Sequence, residues 1–174
     1  MGVIWSLEIC DALFFGGHLD QLGVRPRTGP GLWGIAFAPL LHGGFAHLVA
    51  NTAPGFLLGM LATTRQLNDF WRVTLVSTLT GGLGAWLLGG TGTVHIGASG
   101  VVFGFLGFLM GRGYWERSIG AIVLSVAVTV AFGSMLWGMV PLLADVQTSW
   151  QAHLFGWMGG LGVAWWVARP GKRR

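Results

Sequence analysis

Six apolar stretches fill most of this 174-residue chain, at roughly 1–16, 45–64, 70–89, 99–114, 118–138 and 151–168. Only 9% of the residues are charged and 53% are hydrophobic, with a mean hydropathy of +0.66. A soluble domain carries about 25% charged residues, so water could not cover this surface and lipid must. The expectation is an all-α membrane protein, one domain over 1–174, with six transmembrane helices. The second, third and fifth stretches have about 20 residues, enough to cross a hydrocarbon core near 30 Å. The first is short and begins at Met1, which predicts a missing turn at its cytoplasmic end. The fourth is also short, so its end should lie below the membrane surface or in a water-filled cavity. Thirty-one glycines suit close contact between transmembrane helices.

Charge fixes the expected orientation. If alternate stretches run in opposite directions, one side holds Arg65, Arg72, Arg112, Arg117, Arg169, Lys172, Arg173 and Arg174, and the other only Arg25 and Arg27. That bias predicts cytoplasmic termini. The net charge of +4 sits at the ends of stretches and forms no stripe, which argues against a nucleic-acid partner. The outer loop 17–44 contains Leu32, Trp33 and Phe37 and is too apolar for a solvated linker, so it is expected to lie in the membrane interface. The single cysteine, Cys10, reads as a buried thiol. No cleavable signal peptide, repeat or metal-ligand spacing is evident, and neither a metal nor a cofactor is expected. Nothing in the sequence specifies an oligomeric state.

The chemistry follows from depth. The second, fourth and sixth stretches all begin at the outer face, which brings His47, Asn51, Ser99 and His153 to one layer. A serine hydroxyl is a weak nucleophile until an adjacent imidazole takes its proton, and a neutral histidine suits that task near pH 7. Glycines 100, 104, 107 and 111 on one stretch, with 156 and 160 on another, form small-residue faces that let two backbones approach. That approach would bring Ser99 to His153. A tetrahedral intermediate needs hydrogen-bond donors, and His47, Asn51 and the Ser99 backbone N–H at a helix start fit that role. No carboxylate lies on the fourth or sixth stretch, and Asp145 is in a loop, so a dyad is expected. His18 and His95 read as water-facing or loop-capping residues. Glu8 and Asp11 share one helical face and suit bonds to a neighbouring helix or an interface.

The spacing His42-x4-His47-x3-Asn51, the run Gly97-Ala98-Ser99-Gly100 and the run Ala152-His153-x2-Gly156 together resemble the rhomboid intramembrane serine proteases. The resemblance runs from the first loop to the C-terminus. It implies a six-helix bundle with a cavity open to the outside, Ser99 as nucleophile, His153 as base, and His47 and Asn51 in the oxyanion hole. His42 would hold the first loop, with Gly97, Gly100, Gly104 and Gly156 as structural support. Two positions depart from the common family pattern: Gly34 follows Trp33 in place of arginine, and Phe103 stands where a tyrosine often stacks on the histidine.

The expected function is hydrolysis of peptide bonds in or near transmembrane segments of membrane-protein substrates, with the lipid bilayer as the other partner. The expected place is a bacterial plasma membrane. A catalytically inactive relative that binds membrane clients would have lost the Ser or the His. A small channel or transporter would carry polar residues at every depth, whereas these gather in the outer half.

Overall fold

The structure, a computed structural model, describes residues 1–143 and 148–169. Asp145, Lys172, Arg173 and Arg174 lie outside the described residues. Among those described, the chain is all-helical: α1 (Gly2–Cys10), α2 (Gly29–Phe37), α3 (Phe45–Ala62), α4 (Leu67–Leu88), α5 (Ser99–Glu116), α6 (Ile119–Phe132) and α7 (Trp150–Ala168). A π turn, Asp11–Phe15, prolongs α1, and a 3-10 segment, Gly133–Met139, prolongs α6. These boundaries follow the apolar stretches to within a turn. The outer loop contains α2. Thr28 starts it by accepting from the Gly31 N–H at 3.1 Å, and Pro30 occupies its first turn, where a missing N–H does no harm.

Helix α5 is the axis of the bundle. Its residues Val101 through Leu109 are all buried, because α3, α4, α6 and α7 surround it. That environment explains its many glycines. A Cβ placed on Gly156 would strike the Gly100 carbonyl, and one on Gly160 would strike the Gly104 carbonyl. The backbones of α5 and α7 therefore touch directly. Helix α4 closes on the same seam: Ser77 donates to the Gly156 carbonyl at 3.2 Å, and a Cβ on Gly104 would run into Ser77. In lipid, apolar burial gains little from leaving water, so such close packing carries helix association.

The outward faces are apolar where a soluble protein would be polar. Val123, Val126 and Val130 on α6, Phe56 and Met60 on α3, and Leu75 and Leu79 on α4 are all exposed. Among the described residues, two stretches, Phe45–Ala62 and Ile119–Met139, are long and apolar enough to cross a membrane, with mean hydropathies of 1.3 and 2.2. Cys10 departs from the expectation of burial: it is exposed on α1, a helix whose buried residues are Ile4 and Glu8.

The two ends of the bundle differ in chemistry. At one end, fully buried Asp69 pairs with Arg65 at 2.9 Å and Arg72 at 2.8 Å, while Arg112 pairs with Glu116 at 2.8 Å. Arg65 also donates to the Val167 carbonyl at 3.1 Å, joining α7 to this cluster. Helices α3, α5 and α7 all begin at the opposite end, and the histidines gather there.

Candidate active site

The starts of α3, α5 and α7 converge because each is held by a local device. Gly97 has φ +110°, a left-handed conformation that favours glycine, and a Cβ there would sit 2.7 Å from the His47 ring. The chain thus turns sharply and Ser99 becomes the first residue of α5. The Gly97 N–H donates to the Ala38 carbonyl at 2.8 Å, and the Ala98 N–H donates to His42 Nε2 at 3.4 Å. His42 is 1% exposed. Burial, with the neighbouring His47 ring adding to it, pushes its pKa down to about 4, so its imidazole stays neutral and able to accept. This bond from the Ala98 N–H ties His42, at the end of the outer loop, to the residue before Ser99.

Ser99 Oγ lies 2.7 Å from His153 Nε2. His153 Nδ1 lies 3.1 Å from the Gly138 carbonyl, and a carbonyl can only accept. Nδ1 therefore carries the proton, and the Nε2 lone pair faces the Ser99 hydroxyl. The imidazole stacks on Phe103 with ring centroids 4.1 Å apart and planes 13° apart. Phenylalanine thus supplies the ring contact without a hydroxyl. The Nδ1–H thus meets a backbone carbonyl where a Ser-His-Asp triad has a carboxylate. The sequence reading missed Gly138, since a carbonyl leaves no side-chain signature.

A cavity of about 570 Å³ opens beside Ser99 and His153, also lined by His47, Asn51, His95 and Ser149. His47 Nδ1 accepts from the Gly43 N–H at 3.4 Å, which leaves the proton on Nε2, the edge turned toward Gly97. Asn51 is buried and donates one amide hydrogen to the His47 carbonyl at 2.9 Å; its second N–H is not used by that bond. The Ser99 N–H belongs to the first turn of α5, where no intrahelical acceptor exists. Three donors of different origin thus border one cavity, and His18 stays exposed outside it.

A family model, the Rhomboid domain, matches residues 30–170. The chain belongs to the rhomboid family. Among relatives of this rhomboid, the uncharacterized protein Rv1337 of Mycobacterium tuberculosis is 40% identical over 179 residues, covering 99% of this chain and 74% of that protein. The uncharacterized protein ML1171 of Mycobacterium leprae is 37% identical, covering 99% and 70%. A Bacillus subtilis protein named "Putative rhomboid protease YdcA" is 29% identical over 145 residues, covering 82% of this chain and 70% of its own length. Rhomboids are membrane proteins, which agrees with the apolar outer faces.

Where many rhomboids carry Trp-Arg, this one needs Gly34, because a Cβ there would collide with the Gly23 carbonyl. Arg27 supplies an anchor instead. Its guanidinium donates to the Leu87 and Gly89 carbonyls at 3.0 and 2.8 Å and to Thr91 at 2.8 Å. It thereby satisfies carbonyls at the end of α4, where a cation also meets the negative helix terminus. Arg27 was counted for topology, but its capping role depends on a partner 60 residues away.

Proposed function

We propose that this rhomboid is an intramembrane serine endopeptidase in which Ser99 is the nucleophile and His153 the general base of a dyad. The 2.7 Å contact between Ser99 Oγ and His153 Nε2 carries this reading. His153 takes the hydroxyl proton as Oγ attacks the scissile carbonyl, and it returns that proton to the departing amine. The developing oxyanion is met by the Ser99 N–H, the Asn51 amide and His47. Water then attacks the acyl carbonyl and gives a proton to His153, which returns it to Ser99 Oγ as the ester C–O bond breaks and the new carboxyl terminus leaves. Gly97, Gly100, Gly104 and Gly156 support this geometry by letting backbones and rings approach.

The substrates are membrane proteins cut in or near a transmembrane helix, which must unwind locally because helical amides are shielded by their own hydrogen bonds. We read the chain as a single six-span domain in a bacterial plasma membrane, with cytoplasmic termini, a site toward the outer face and the 17–44 loop in the interface. The charged end with Arg65, Arg72 and Arg112 supports this orientation. Reconstituting the protein in vesicles with a single-span substrate tests the activity. Wild type should cut the substrate and Ser99→Ala should not; equal cleavage by both would refute the reading.

A further inference from the structure

A second His–Ser contact crosses the same two segments. His95 Nδ1 lies 2.8 Å from Ser149 Oγ, four residues before Ser99 on one side and four before His153 on the other. We propose that His95 and Ser149 are a positioning pair, whose hydrogen bond locks the first turn of α7 to the loop before α5 and so sets how His153 meets Ser99. This inference rests on the protease reading and adds two residues to it.

The protons can be followed through the network. The Thr93 hydroxyl donates to the Gly90 carbonyl at 2.7 Å, so toward His95 it can only accept, and His95 Nε2, 2.9 Å away, is the donor. Burial lowers the pKa of His95 and keeps the ring neutral. Nδ1 is then unprotonated, and the Ser149 hydroxyl donates to it. Ser149 Oγ in turn accepts the Ala152 N–H at 3.4 Å as the N-cap of α7. Every hydroxyl proton is used once, and the chain of bonds has one direction.

Both ends of this link are anchored. The His95 backbone pairs with Val24 through two hydrogen bonds of 2.9 Å, so the ring is carried by a fixed strand of loop. On the other side, the Ser149 carbonyl accepts the His153 N–H at 3.1 Å, so a shift of Ser149 moves the base directly. The link answers a need created by the glycines. Helices normally resist sliding because ridges of side chains sit in grooves, and the Gly100, Gly104, Gly156 and Gly160 seam has no ridges. A hydrogen bond at the end of the seam supplies the axial register that packing does not. Gln151 does the same toward α4, donating to the Leu88 carbonyl at 3.1 Å.

Asparagine and glutamine separate the two ring nitrogens of His95, since an Asn amide occupies the Nδ1 position and a Gln amide the Nε2 position. Full-length His95→Leu, His95→Asn, His95→Gln and Ser149→Ala variants should be compared for kcat, KM and melting temperature on one transmembrane substrate. His95→Leu, His95→Gln and Ser149→Ala should lose about 10-fold to 100-fold in kcat, as expected for a misplaced base, with KM within about 2-fold of wild type. His95→Asn should retain most of the rate, and His95→Leu combined with Ser149→Ala should be no worse than either alone. If His95→Leu does not fold, the Asn and Gln variants decide. Equal rates for Asn and Gln, multiplicative losses in the double variant, or a change confined to KM would each overturn the positioning role; the last would make His95 a substrate contact. Cleavage by Ser99→Ala at the wild-type rate would overturn the protease reading, and the inference with it.

Discussion

Gly160→Ala adds one methyl group to α7, about 10 Å from His153 along the helix, and it should still slow the chemistry. The new Cβ would strike the Gly104 carbonyl and lie 2.7 Å from that residue's carbonyl carbon and 2.9 Å from the Phe108 nitrogen. All three are backbone atoms, so no rotamer change relieves the clash. Comfortable contact begins near 3.5 Å; clearing the carbonyl carbon alone from 2.7 Å parts the two helices by roughly 0.8 Å, and clearing the nearer carbonyl oxygen parts them further. Displacement of about 1 Å at a reacting pair costs on the order of 10²-fold in rate; transmitted along α7 to the Ser99–His153 contact, the loss in kcat should be about 10- to 100-fold. Overpacking should also destabilise the fold by about 1–3 kcal/mol. Gly162→Ala is the control, because nothing lies within 4 Å of its added Cβ. Turnover of a transmembrane substrate and thermal unfolding should be measured together for both variants. If Gly160→Ala matches Gly162→Ala in rate and stability, the glycine seam does not set the geometry of the dyad.

Three further outcomes are expected. His153→Ala should be as inactive as Ser99→Ala, and the double variant no worse, since nucleophile and base act as one unit; multiplicative losses in cleavage assays would separate them. Asn51→Ala and His47→Ala should each lower kcat by roughly 10²–10³-fold, the usual loss for one oxyanion donor, with smaller losses where cavity water substitutes; unchanged rates would remove both from the site. His42 binds a proton near pH 4 when folded and near 6.5 when unfolded, so the unfolded chain holds more protons between these values and stability falls as pH drops through that window. Melting temperature against pH should show this acid slope in wild type and lose its His42 component in His42→Gln, which keeps an acceptor for the Ala98 N–H.

The helices and the Ser99–His153 contact were legible in the sequence for one physical reason each. Helices in lipid must be apolar along their length, so the six stretches marked α1 and α3–α7 to within a turn. The polar residues His47, Asn51, Ser99 and His153 stood out against that background, and alternating direction brought them to one layer. The glycine spacing similarly exposed the α5–α7 seam. What escaped were interactions whose signal is not a side-chain type. The Gly138 carbonyl on His153 is backbone, and the Arg27 cap depends on carbonyls far away in sequence. His95 looked like a loop residue and is one, but its bond to Ser149 spans 54 positions. Cys10 misled because an apolar surrounding means burial in a soluble protein, whereas on a bundle with apolar outer faces it leaves the residue exposed.

In the proposed mechanism His153 activates Ser99. The most direct measurement is covalent labelling of the detergent-purified protein with a fluorophosphonate, followed by peptide mass spectrometry. Stoichiometric modification is expected at Ser99 in wild type, with labelling lost in both Ser99→Ala and His153→Ala. Equal labelling at Ser99 with His153 replaced, or modification at another serine in its place, would contradict that mechanism.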